Sequence, residues 1–144
     1  MKPKRLGREL KGVNNLFSRN VENCEAIRYV NELTSANAFV LGYLAKNQNV
    51  DIYQKTIEEK FSITKSTASK VLKLMEQNGL INRYSVQEDA RLKKLVITDK
   101  GLAIHESVRN GLDSVEEKAF QNFTQEEKDQ LFNFLERIKN NLKN

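Results

Sequence analysis

The stretch TKSTASK, Thr64–Lys70, lies inside the longer run FSITKSTASKVLKLMEQNGLINR, Phe61–Arg83. Ala68, Val71, Leu72 and Met75 recur at helical spacing and mark a buried stripe. The opposite face carries Lys65, Ser66, Ser69, Lys70 and Lys73, with Thr64 and Thr67 at its start. Ser and Thr are indifferent helix formers, and a merely solvated face usually uses Glu, Gln, Arg and Ala. No Asp or Glu occurs from Thr64 to Lys73, and Glu76 comes only at the far end. A helix seated in the DNA major groove needs this set of residues. Its side chains must be short enough to approach the base edges, its hydroxyls must donate or accept there, and its lysines must reach phosphate or guanine. Thr64 is the expected N-cap, and Gly79 after Asn78 the expected αL stop.

Downstream of that helix the period changes. LINRYS and LKKLVI are short β-compatible runs on either side of VQEDAR, which predicts a hairpin directly behind the helix. Upstream, Thr34 is the expected cap of a helix that buries Ala38, Val40, Leu41 and Leu44. Asp51 followed by Gln54 has capping-box spacing and opens a short helix through Lys60. Phe61 and Ile63 plug the turn that follows. Three short helices and a hairpin form a winged helix-turn-helix, expected over residues 34–100.

Both ends of the chain are helical in pattern. Leu6, Leu10, Val13 and Phe17 form one stripe, and residues 26–33 either extend that helix or bridge from it. Thr98 caps a long helix whose seam is Leu102, His105, Val108, Leu112, Val115 and Ala119. Thr124 with Glu127 opens another, with Leu131, Leu135, Ile138 and Leu142 along it. The fold class is mainly α with a small β-hairpin wing. The seams at the two ends are either intramolecular core or a dimerisation layer, and they flank a winged domain that is already complete.

Composition bounds the partners. The 144 residues suit a single domain, and the net charge of +5 is unevenly spread. Residues 1–12 carry five basic and one acidic side chain, residues 51–100 ten and seven, and residues 101–144 six and eight. A basic middle with an acidic tail fits a polyanion at the centre of the chain, and a generically basic surface fits the charge alone equally well. No apolar run approaches the roughly 20 residues of a membrane span. The basic MKPKRLGREL lacks a signal peptide's apolar stretch. One cysteine excludes an internal disulfide and fits a cytoplasmic location.

Three segments, in order, carry a resemblance. LTSANAFVLGYLA (Leu33–Ala45), the Phe61–Arg83 run with its Gly-Leu-Ile exit, and DARLKKLVITDKG (Asp89–Gly101) resemble the MarR family of bacterial winged-helix regulators. The resemblance implies a homodimer in which helices from residues 1–33 and 101–144 intertwine, and two winged parts that straddle a pseudo-palindromic operator on double-stranded DNA. It implies that Arg91 enters a flanking minor groove, where narrow A·T-rich DNA concentrates negative potential. Asp89 would orient that guanidinium. The plainer alternative at the hairpin tip is a surface ion pair worth about 0–1 kcal/mol. Ala90 stands where the family often has a second basic residue, and Lys93 and Lys94 lie close enough to compensate. Arg83 could reach the backbone from the base of the wing.

The remaining chemistry is sparse. No phosphate-binding glycine loop, nucleophile elbow or HExxH motif occurs, so no enzyme is expected. With one His and one Cys, a metal sensor lacks donors, and no cofactor is expected. Cys24 lies between Glu22 and Glu25, which disfavour a thiolate if they are close in space. His105 reads as a packed seam residue. Tyr29, Phe39, Tyr43 and Phe120 read as core, although the family binds small aromatic effectors. The expected function is a transcriptional repressor, and the alternative is a winged-helix protein-interaction module without sequence-specific DNA binding.

Overall fold

The computed structural model describes residues 2–143, apart from the side chain of Ala90. Its elements are α1 (Leu6–Glu22), α2 (Glu25–Thr34), α3 (Ala38–Lys46), α4 (Gln54–Phe61), α5 (Lys65–Gln77), β1 (Ile81–Val86), β2 (Asp89–Ile97), α6 (Asp99–Ala119) and α7 (Gln125–Leu142). The winged helix-turn-helix is present as expected. α5 buries Ala68, Val71, Leu72 and Met75, and the last three share one core with Leu41, Ile57 and Ile81. Its start is fixed by Thr64, whose Oγ1 accepts from the Thr67 N–H at 3.1 Å. Gly79, at φ 76°, ends it in the left-handed region that glycine enters without a Cβ penalty.

Two expected caps are corrected by long-range packing. Thr34 opens no helix: it is the buried last residue of α2, and its Oγ1 donates to the Val30 carbonyl at 2.8 Å. Asn37 occupies the N-cap of α3 instead, after Ser35 and Ala36 have both turned through positive φ. Residues 26–33 belong to α2, a helix of its own, and Val30 joins the winged core. Asp51 does not cap α4 either. The chain at Ile52 is extended, its carbonyl accepts from the Leu95 N–H at 2.7 Å, and Tyr53 forms an isolated bridge with Lys94. Ile52 is thereby sealed into the core, and α4 starts only after Tyr53, whose N–H donates to Thr56 Oγ1.

The hairpin pairs Ile81 with Ile97 and Ser85 with Lys93, with an irregularity between Ser85 and Val86 near the tip. Its inward side chains, Ile81, Leu95 and Ile97, close the core over α5. Thr98 then welds the sheet to α6. Its Oγ1 accepts from the Gly101 N–H at 3.0 Å and donates toward the Gly79 and Leu80 carbonyls. Gly101 is required by this close approach, since a Cβ there would fall on the Leu80 carbonyl oxygen and lie 2.7 Å from Ile97 Cγ1.

The terminal helices contrast with this core. α1 runs back along α6, joined by Lys118 Nζ donating to Asn20 Oδ1 at 2.8 Å, and it contains no buried residue. α7 opens with the expected Thr124–Glu127 capping box and buries none of its residues. Leu6, Leu10, Val13 and Leu16 on α1, and Leu131, Phe132, Phe134 and Leu142 on α7, all stay exposed. Among the described residues no helix is long and apolar enough to cross a membrane.

Candidate nucleic-acid interface

The interface is built on α5. With the Ala68–Met75 stripe turned inward, helical geometry forces Lys65, Ser66, Thr67, Ser69, Lys70 and Lys73 outward, and all six are exposed. Among the described residues no carboxylate pairs with any of the three lysines. Thr64 differs from its neighbours, because its hydroxyl is engaged in the cap and donates to Thr67 Oγ1 at 3.0 Å. Thr64 sets where the helix begins, and Thr67 keeps a free proton to donate outward.

Glu76, the first acid on α5, is occupied. Arg83 on β1 grips it with two bonds, Nη2 to Oε1 at 2.9 Å and Nε to Oε2 at 3.2 Å. That hydrogen bonding, against an opposing desolvation, holds the Glu76 carboxyl below its ordinary range and pushes the Arg83 guanidinium up. The pair neutralises the only negative charge of α5 and ties the end of the helix to the wing. Arg83 is therefore paired with a carboxylate and braces α5 against the wing.

At the wing tip Asp89 and Arg91 are in contact. Asp89 Oδ1 accepts from the Arg91 backbone N–H at 2.9 Å and from its Nε at 3.2 Å, while the Arg91 side chain remains 92% exposed. The two lysines expected to stand in for the missing base at residue 90 separate. Lys93 shares a groove with Arg91, whereas Lys94 faces the other side of the hairpin and pairs with Asp51 at 2.8 Å. That bond raises the Lys94 pKa and leaves the side chain bracing the wing against the residues before α4. The side chain of Ala90 lies outside the described residues.

Two grooves flank α5. One, about 530 Å³, runs past Thr67, Lys70, Lys73 and Gln77 to the Ser35–Asn37 turn. The other, about 470 Å³, lies between the start of α5 and the wing, lined by Lys65, Arg91 and Lys93. Lys55 of α4 also lines it and was not singled out from sequence, where it is one lysine among several on a short amphipathic helix.

Other singled-out residues have structural surroundings. Cys24 packs on Gly111, where a Cβ would fall on its Sγ. His105 sits against Gly42, and burial, with Lys46 and Arg109 nearby, lowers its pKa. Phe39 and Tyr43 both pack on Phe61, at 4.7 and 5.6 Å between centroids, and Phe120 packs on Phe123 and Phe132. Tyr29 and Phe39, expected in the core, are both exposed, and Tyr29 edges a shallow cleft of about 220 Å³ with Lys100 and Ile104. Among the described residues no group of three His, Cys, Asp or Glu could hold a metal ion.

Comparison with known proteins agrees with this geometry. The profile of the MarR family matches residues 31–92, which hold α3 to α5, β1 and the wing tip. Over those residues the chain is similar to the MarR family. It is 28% identical over 95 residues to YybA of Bacillus subtilis, an uncharacterised HTH-type transcriptional regulator, covering 66% of this chain and 63% of YybA. B. subtilis YusO superposes with a TM-score of 0.80 at 22% identity, over 94% of this chain and 92% of YusO. An S. aureus MepR mutant bound to an oligodeoxyribonucleotide gives 0.75 at 21% identity, over 97% and 99%. The mainly helical fold with its two-stranded wing is thus shared with both structures along nearly the whole chain.

Proposed function

We propose that this chain is a MarR-type transcriptional regulator that binds a pseudo-palindromic operator as a homodimer. One observation carries the reading. The exposed face of α5 is a continuous run of Ser, Thr and Lys, and the one acid of that helix is neutralised by Arg83. A base-reading helix needs that surface and a protein-binding helix does not: a protein-interaction face would present aromatics or leucines there. Lys65, Ser66, Thr67, Ser69, Lys70 and Lys73 enter the major groove. Arg91, oriented by Asp89, enters the adjoining minor groove, and Lys93 meets phosphate beside it.

The paired arrangement is supported by the apolar seams of α1 and α7, which flank residues 34–100 and, among the described residues, are exposed or at most half-buried. A two-fold dimer places the two recognition helices about one helical turn apart, roughly 10 bp between half-site centres. Repression follows from steric cover of a promoter.

Selection of bound fragments from the source genome, followed by anisotropy on the recovered operator, tests the reading. If the dimer neutralises about six to ten phosphates, affinity falls by roughly 10³–10⁵ between about 50 and 200 mM salt. Arg91→Ala weakens A·T-flanked sites most. Lys70→Ala weakens all sequences if it meets phosphate, and one sequence class if it meets guanine. Recovery of no common sequence, or equal affinity of wild type and both variants, contradicts the docking.

A further inference from the structure

We propose that the groove between α4, the start of α5 and the wing holds one sugar-phosphate strand of the operator, with Lys55 as a DNA-binding residue. The inference rests on the DNA-binding reading and adds to it the path of the backbone. A strand that leaves the major groove for the neighbouring minor groove crosses between the two protein elements seated in them. Here those elements are α5 and the wing, and the space between them is this groove of about 470 Å³.

Its walls are cationic on both sides. Lys55 and Lys65 line the helical side, and Arg91 and Lys93 line the wing side. The three lysines are exposed and, among the described residues, form no ion pair with a carboxylate. The cations of the hairpin therefore divide by role. Arg83, which also lines the groove, and Lys94 are held by Glu76 and Asp51, Arg91 stays largely exposed beside Asp89, and Lys93 faces the groove unpaired among the described residues. A DNA strand brings one phosphate charge per about 3.4 Å of helix axis, so neighbouring phosphates can meet Lys55 and Lys65 on one wall and Lys93 on the other. Glu58 is the one carboxylate among the lining residues. Facing a phosphate chain it repels, which gives the proposal a second, opposite sign to test.

The experiment measures full-chain protein by anisotropy on a selected operator and on a random-sequence duplex, between about 50 and 200 mM salt. Lys55→Ala is expected to weaken both duplexes alike, several-fold. It should also reduce the salt slope by about two per dimer, since each lost phosphate contact removes about 0.9. Glu58→Gln is expected to tighten both. Lys139→Ala, which removes a cation paired with Glu136 on α7, is expected to change neither. A single neutral methylphosphonate at the linkage that crosses the groove should weaken wild type and leave Lys55→Ala unaffected, the coupling expected of direct contact. Unchanged affinity and slope in Lys55→Ala, a loss confined to the operator, weaker binding by Glu58→Gln, or an equal loss in Lys139→Ala would each overturn the proposal. Absence of salt-dependent binding by the wild type would instead remove the DNA-binding reading beneath it.

Discussion

Replacing Leu16 by Asp puts a charge into the apolar groove between α1 and α6 while leaving the winged core untouched. Leu16 lines that groove with Val13, Phe17 and Val115, and 60% of it remains exposed in the single chain. Fully burying a leucine is worth about 1.5–3 kcal/mol, so covering the remaining 60% adds roughly 1–2 kcal/mol per protomer. In the proposed two-fold dimer the substitution occurs twice, giving a loss of about 2–4 kcal/mol per dimer. At 1.4 kcal/mol per decade, the dissociation constant of the dimer rises roughly 30- to 1,000-fold, before any cost of desolvating two carboxylates. The fold of each protomer should survive, because α1 buries none of its residues within the chain. Sedimentation velocity across nanomolar to micromolar protein reads the dissociation, and far-UV circular dichroism confirms the helices. A variant that dimerises as tightly as wild type, or a wild type that sediments as a single protomer throughout, refutes the dimer layer.

Three further substitutions probe how the winged part is held together. Gly101→Ala forces a Cβ onto the Leu80 carbonyl oxygen, a backbone atom that cannot swing away, and should cost about 1–3 kcal/mol in urea denaturation. Glu76 has a depressed folded-state pKa, so its contribution is present above the ordinary carboxylate range, near 4.3, and is lost as pH falls through the folded value. Glu76→Gln should therefore flatten the acid limb of the stability curve, and it should weaken operator binding by loosening the wing. His105 is likewise depressed, here by burial, so stability is full above about pH 6.5 and falls as protonation is forced below it. Thermal melts from pH 7.5 to 5.5 should show that fall in wild type and a smaller one in His105→Gln.

What was legible in the sequence was whatever local chemistry decides. Thr64, Thr98 and Thr124 each precede a strongly periodic run, and each caps the helix expected of it. Thr34 failed because TSAN, residues 34–37, offers several capping candidates in a row. Packing from far along the chain chooses among them: Asn78 Nδ2 donates to the Leu33 carbonyl at 3.0 Å and fixes the end of α2. Asp51 failed for a related reason, since its partner, Lys94, lies 43 residues away and becomes a neighbour only when Ile52 joins the hairpin.

The same division runs through the candidate site. The outward face of α5 follows from helical period alone, and the Asp89–Arg91 contact spans two residues. Arg83 and Lys94 looked like free cations because sequence shows charge and hides partners. Lys55 was invisible as a groove residue because its neighbours, Arg91 and Lys93, arrive from the wing.

Affinity cleavage tests most directly the claim that the hydroxyl-rich face of α5 reads DNA. Ser69→Cys in a Cys24→Ser background, carrying a tethered iron chelate, places a cutting centre on that face. On a selected operator, two clusters of cuts about one helical turn, roughly 10 bp, apart are expected. Tight binding with no cleavage, or a single cluster at one edge of the site, contradicts the account.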